Sequence, residues 1–343
     1  MAPKAPSISI DIWSNLYDAS LRFKKLEPWK FMSDQDLFAV RDAETGETGY
    51  GCVLGAAGEM FALCLYRGAE GFDAHRRMQA QELTPDSDDI FTVQNCLMAA
   101  FVDRDELDKT DLSVVKALGL KFRGAQAWPE FRSHLPGYAP WMLTAEEALF
   151  LTEALLCACA IANKIENDGL DLRARTGHVL THVLKDGGKF ESSWEPYPVY
   201  RPQPLPPLAL DTDALERAKA KAKKRDAPWE AAVFFAPTVI SDKDRPYFPR
   251  MALAVHQPSG MVFPPNLGSP LDRPHQLLAQ TLLTTVAAVG AVPGQLHVKS
   301  ADLADALAPL GTALAMPILV KKRLPALEEA KESMEAAMSR GRF

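Results

Sequence analysis

The stretch that most limits how this chain can fold is AEEALFLTEALLCACAIANKIE, Ala145–Glu166. Its residues are apolar nearly all round the helical wheel, so a helix here must be buried on most sides rather than lie on a surface. In front of it, Thr144-Ala-Glu-Glu147 is a capping box, in which the Thr hydroxyl and the Glu carboxylate satisfy amides the first turn leaves orphaned. Its longest unbroken apolar run, Ala154–Ala162, is nine residues, against the roughly 20 a membrane span needs. The spacing therefore predicts the central helix of a soluble domain.

The segment that launches this helix is rich in residues that sites use. Between Lys121 and Trp141 stand two Trp, two Phe, a Tyr and a His, with Arg123 and Arg132 among them. Pro129 and Pro140 hold the residues before them extended, and Pro136-Gly137 fits the centre of a type II turn. An irregular, pre-set backbone is expected here. Arg123, Arg132, His134 and Tyr138 are the candidate anion-binding residues, since Arg forks suit phosphate or carboxylate. The competing reading is that Trp128, Phe131 and Trp141 plug the core while the arginines pair with nearby acids.

At 343 residues the chain suits two domains. Residues 1–200 carry 20 Lys/Arg against 30 Asp/Glu, and residues 201–343 carry 18 against 14. Helix 11–26 is followed by a three-stranded meander, 37–41, 48–54 and 60–66, separated by DAETG and GAAG turns. Further elements are a helix over 72–82, a buried strand within 90–101, a helix over 103–118 and a hairpin over 177–196 around Asp186-Gly-Gly188. Six prolines between Pro196 and Pro207, then the Ala/Lys-rich Asp211–Arg225, form an expected linker over 201–227. From 228 onward strands and helices alternate in the order βββαβαβα, which predicts a mixed sheet with helices packed on it. The fold class expected is α+β: an N-terminal antiparallel sheet with helices over 1–200, and a mixed α/β domain over 228–343.

That second order is also the order of an RNase H-like domain, and Ala254–Pro265 (AVHQPSGMVFPP) resembles its second hairpin. The block Ala127–Ala148 resembles an uncharacterised bacterial two-domain family of unknown function. So do the Trp13/Leu16/Tyr17 helix, Gly49–Tyr66 and Arg323–Ala330. This resemblance implies architecture and no mechanism.

A two-metal nuclease or transposase site needs carboxylates at the end of the first strand, after the fourth strand and on a late helix. Here the first strand of the second domain lacks an acid: Glu230 precedes it, and Asp242 and Asp244 follow it. The fourth ends in Lys299-Ser300, and only Glu328, Glu329 and Glu332 could serve from the late helix. His178 and His182 have a metal-pair spacing without a third ligand, and read as exposed hairpin residues. Lys219–Arg225 reads as the solvated face of the linker helix. The five cysteines show no CxxC and read as reduced, hence intracellular. With no long apolar run at the N-terminus, no signal peptide is expected, and the location expected is cytoplasmic.

No catalytic residue, metal or cofactor is assigned. The expected function is a non-enzymatic binding or interaction protein, its partner a protein or a nucleic acid and not a membrane. The alternatives are a metal-dependent nuclease and a small-anion sensor.

Overall fold

The central strands of the first half are apolar on both faces, and both faces are covered. The computed structural model describes residues 8–83, 93–185, 189–241 and 245–339. It divides into two compact units: Met1–Arg201 with Ser241–Pro246, and Pro202–Ile240 with Tyr247–Phe343. The class is α+β.

In the first unit a sheet of seven strands runs β5-β4-β3-β2-β1-β6-β7. The strands are β1 (Phe38–Arg41), β2 (Thr48–Leu54), β3 (Phe61–Arg67), β4 (Cys96–Val102), β5 (Trp128–His134), β6 (His178–Lys185) and β7 (Lys189–Pro196). Neighbours are antiparallel except β1 and β6, which pair parallel with Phe38 opposite Leu180. Strand side chains alternate between faces. Phe38, Val40, Val53, Leu63, Leu65, Leu97, Ala99 and Phe101 therefore share one core with helices α1 (Ile10–Leu26) and α4 (Ala145–Asp168). Ala39, Tyr50, Cys52, Cys64, Tyr66 and Cys96 form the other core, with Phe72 of α2 (Gly68–Gln79). The Phe38 ring crosses the backbone of β2 at Gly51, where an added Cβ would lie 2.4 Å from the ring.

The capping box of α4 is present, with the Thr144 amide 2.9 Å from Glu147 Oε2 and the Glu147 amide 3.2 Å from Thr144 Oγ1. Gly169, at φ +68°, ends the helix. By length and composition α4 is long and apolar enough to cross a membrane, because averaging over the helix tolerates the few polar residues that break its apolar run. Half of its most apolar window is buried inside the protein, and it is the core helix of this unit.

Where an irregular segment was expected, residues 128–134 form edge strand β5. An edge strand with one neighbour tolerates Pro129, whose missing amide costs no ladder bond on the open side. The type II turn follows as expected, with Gly137 at φ +79° and the Tyr138 amide 3.0 Å from Leu135 O. Helix α3 (Lys109–Ala117) begins later than expected, at the Asp108/Asp111 capping box. The acidic loop 86–89, the start of the 90–101 strand and the hairpin turn 186–188 lie outside the described residues.

In the second unit the sheet order is β11-β10-β9-β14-β15, with β12 also on β10. Here β9 (Trp229–Phe235), β10 (Arg250–His256), β11 (Met261–Val262) and β12 (Asn266–Gly268) pair antiparallel. β14 (Leu296–Val298) runs parallel to β9, and β15 (Ile318–Val320) parallel to β14. A separate parallel pair joins β8 (Lys224–Asp226) to β13 (Ala291–Pro293). Helices α5 (Thr212–Lys221), α6 (Pro274–Val289) and α7 (Ala301–Ala313) cover one face around Trp229, and α8 (Pro325–Ser339) covers the other with Leu324 and Leu327.

One expectation is corrected here. The 201–227 segment is not a free linker: α5 buries Leu215 and Ala218 in the second core, and Gln276 of α6 holds both the amide and the carbonyl of Ala209. Two apolar residues one turn apart suffice to seat an otherwise charged helix. Asp272 does not cap α6. Its carboxylate accepts from the Ser269 amide at 2.6 Å, leaving Arg273 at the cap without a side-chain bond.

Candidate functional site

Strand β5 and the turn after it carry most of the residues singled out as anion ligands, and the fold sends them in different directions. Arg123 is exposed, before the strand, with no ion pair among the described residues. Arg132 turns toward α3. Its guanidinium makes two bonds to Asp111, at 2.9 and 2.7 Å, lies 2.8 Å from Glu130 and reaches the Phe131 carbonyl at 2.9 Å. The Asp111 side chain is 7% exposed, so this is a closed, desolvated pair. Burial, with Asp111, Glu106 and Asp108 close by, holds the Glu130 carboxyl above its usual range against the pull of Arg132.

His134 and Tyr138 meet a cation that no motif marked. Arg245, in the 241–246 segment of the first unit, donates from Nε and Nη2 to Ala139 O at 3.2 and 3.1 Å, and from Nη2 to Ser133 O. Its guanidinium lies 5.4 Å from the Tyr138 ring centroid. His134 is buried, and burial together with Arg245 and Arg132 pushes its pKa down to about 4, so the imidazole is neutral at pH 7. Among the described residues its Nε2 has no hydrogen-bond partner.

One carboxylate ties this region together. Glu147 Oε1 accepts from Arg67 Nη1 at 3.0 Å and from Ser133 Oγ at 2.9 Å, while Oε2 closes the α4 cap. Arg67 also forks onto Glu47 at 2.6 and 3.2 Å. Arg132, Arg67 and Arg245 are thus each spent on carboxylates or carbonyls of their own unit. The arrangement locks a turn, an edge strand and a helix start together.

The histidine pair on β6 is not an exposed pair. His182 is 2% exposed, its Nδ1 is 2.8 Å from Ser192 Oγ, and burial with Lys164 nearby pushes its pKa down to about 4. His178, four residues earlier on the strand, is only partly buried, its Nδ1 3.1 Å from Thr176 O. Among the described residues no group of three or more His, Cys, Asp or Glu side chains is placed to hold a metal ion. Cys52 and Cys64 face each other across β2 and β3; burial holds the Cys52 thiol well above its usual pKa, and a hydrogen bond with Cys64, with burial behind it, does the same for Cys96.

In the second unit Glu230 lies on β9 itself, 1% exposed, rather than before the strand. Its Oε2 accepts from the Leu327 amide of α8 at 3.0 Å. That carboxylate serves as the cap of a helix N-terminus contributed from another element. β14 ends at Val298. Lys299 then reaches Glu328 at 3.1 Å, and Ser300 Oγ caps α7 through the Leu303 amide at 3.2 Å. Glu329 and Glu332 are exposed on α8. Asp242 and Asp244 lie outside the described residues.

Comparison with known proteins assigns two regions. Residues 13–182 match a family model described as a domain of unknown function (DUF7309). Residues 214–335 match a second, described as a domain of unknown function (DUF6930). No curated protein matches the chain. With the two matches spanning most of its length, the chain belongs to a two-domain family of unknown function, one domain of each kind.

Proposed function

We propose that this protein is a non-enzymatic binding module whose second unit is an RNase H-like scaffold without that fold's metal chemistry. The order β11-β10-β9-β14-β15, with three antiparallel strands followed by two parallel ones, supports the scaffold reading. The observation that carries the functional half is Glu230. It is the one acid on the central strand, and its carboxylate is buried and spent on the α8 amide. A metal-clamping carboxylate must instead face an open cleft with lone pairs free. Lys299, where the fourth strand ends, adds a cation at a position that such chemistry gives to an acid. The five free thiols, four of them buried, support a reducing, cytoplasmic setting.

The test is incubation of the full chain with duplex DNA, single-stranded DNA, RNA and a DNA–RNA hybrid in Mg²⁺ or Mn²⁺. No cleavage above a buffer control is expected. Metal-dependent cleavage that disappears in Asp242→Ala would overturn the proposal.

A further inference from the structure

An acid, a histidine and a serine meet at one end of the second unit's main sheet. Asp226 ends β8, His256 ends β10 opposite Trp229, and Ser259 lies exposed in the turn from β10 to β11. Ser259 Oγ is 2.6 Å from His256 Nδ1, and His256 Nε2 is 3.4 Å from Asp226 Oδ1. One tautomer serves both contacts. Ser259 Oγ accepts from the Met261 amide at 3.3 Å, so its own proton points to Nδ1, and the ring proton then sits on Nε2, facing the carboxylate. Asp226 is itself fixed, accepting from Trp229 Nε1 at 3.1 Å and from the Ala227 amide at 3.0 Å. Against its partial burial, those two bonds, with His256 and Lys224 nearby, hold its carboxyl below the usual range. A second histidine–serine contact, His182 to Ser192 at 2.8 Å, has no third member: among the described residues the His182 Nε2 has no hydrogen-bond partner.

Ser259 also borders a cleft of about 710 Å³ between the β10–β11 turn and α8. Val262, Ala326, Ala330 and Met334 give it an apolar lining, with Glu329 beside them. Pro325 and Ala326 begin α8 and line the same space, so the positive end of that helix faces it. A hydroxyl bonded to a base that a carboxylate orients, next to an apolar cleft, is equipped to take an acyl group. It is not equipped for rapid turnover. The amide of the residue after the nucleophile, which acyl-transfer enzymes aim at the developing oxyanion, is here bonded to His256 O, Gly260 N lying 2.9 Å from it. Only an activated acyl donor should therefore react, and the serine ester, with its poorer leaving group, should persist.

We propose that Ser259 is a covalent modification site that takes one uncharged acyl group from a thioester, with His256 as its base and Asp226 as the positioning residue. Ser259 Oγ forms a bond to the carbonyl carbon as the carbon–sulfur bond breaks. The hydroxyl proton passes to His256 Nδ1 and then to the departing thiolate, and nothing is oxidised or reduced. The acyl chain lies along the apolar cleft, where the Glu329 carboxylate disfavours an anionic one. Uptake of a single group per chain adds a modification to the binding role proposed above and does not make the protein an enzyme.

The test is incubation of the full chain with the octanoyl thioester of N-acetylcysteamine, followed by intact mass and peptide mapping. One octanoyl group per chain, on Ser259, is expected. Ser259→Ala should stay unlabelled with its urea midpoint unchanged, because the side chain it removes is exposed. His256→Gln should slow labelling by about 100-fold or more, and Asp226→Asn, which keeps an acceptor for Trp229, by about tenfold or more. The ¹⁵N shifts of His256 separate positioning from mere support: an Nε2–H ring is expected in the parent and a mixture of tautomers in Asp226→Asn. Met334→Trp narrows the cleft and should slow octanoyl transfer by about fivefold, with acetyl transfer changing less than about twofold. Absence of label on Ser259 overturns the proposal, as does an equal rate in His256→Gln or an Nδ1–H ring in the parent. Release of many thiols per chain, lost in Ser259→Ala, would uphold Ser259 as the nucleophile and defeat the non-enzymatic reading. Metal-dependent cleavage of nucleic acid would defeat that reading alone and leave the serine site standing.

Discussion

Removing the Glu147 carboxylate strips a partner from Arg67, from Ser133 and from the Thr144 amide at once. Arg67 keeps its fork onto Glu47, but the buried Ser133 hydroxyl and the Thr144 amide lose their acceptor, so Glu147→Ala is expected to cost about 2–3 kcal/mol. Glu147→Gln keeps an acceptor and should cost about half as much, both read from urea unfolding midpoints. A pH dependence belongs to the same scale. His134 and His182 are held at about 4 in the folded chain, against an ordinary 6.5. As pH falls the unfolded chain takes up the protons first. The stability these residues confer as neutral groups is therefore complete above about pH 6.5 and lost between there and pH 4. Thermal melts from pH 7 to pH 4.5 should show a declining Tm, with a shallower decline in His134→Gln/His182→Gln. An unchanged slope in that variant would count against both assignments. The α4 capping box was readable because its signal lies within four consecutive residues. Arg245 was not, because it meets Ser133 and Ala139 across more than 100 positions and no local pattern encodes that meeting.

Elements were legible where one local rule dominates. The β1–β3 meander, the hairpin β6–β7 and the helices of the second unit follow turn residues and apolar periodicity. β5 was hidden because Pro129 and the Pro-Gly turn suggest disorderly backbone, and only edge placement reconciles a strand with that proline. α5 was read as a solvated face because charge outnumbers apolar residues on it, yet Leu215 and Ala218 decide where it sits. Leu215→Ala should cost about 2–3 kcal/mol, while Lys219→Ala, exposed on the same helix, should stay within about 0.5 kcal/mol in the same denaturation assay. Equal small effects would restore the linker reading. At β2, Gly51→Ala forces a methyl against the Phe38 ring and should lose about 1–3 kcal/mol. Phe38→Leu in the same chain should recover part of that loss, which a double-mutant cycle measures.

Over the whole molecule, the long apolar helix α4 raises the question of a bilayer, and its packing against α1 and the sheet answers it by occupying the apolar face. After lysis and ultracentrifugation the full chain is expected in the supernatant, and retention in the membrane pellet through a carbonate wash would contradict that. The two-unit architecture was visible in the shift of charge and the run of prolines. The sheet order of the first unit was not, because the β1–β6 pairing leaves no mark on either strand. That pairing sets a timetable. Phe38 and Leu180 are partners 142 positions apart, so the first unit cannot seal its sheet until nearly all of it has left the ribosome. Through that interval the nascent meander exposes the free rim of β1 and an apolar face awaiting α4. Late closure of so long a loop slows folding and lengthens exposure to other chains, which makes this half of the protein the part with most to gain from a chaperone during synthesis.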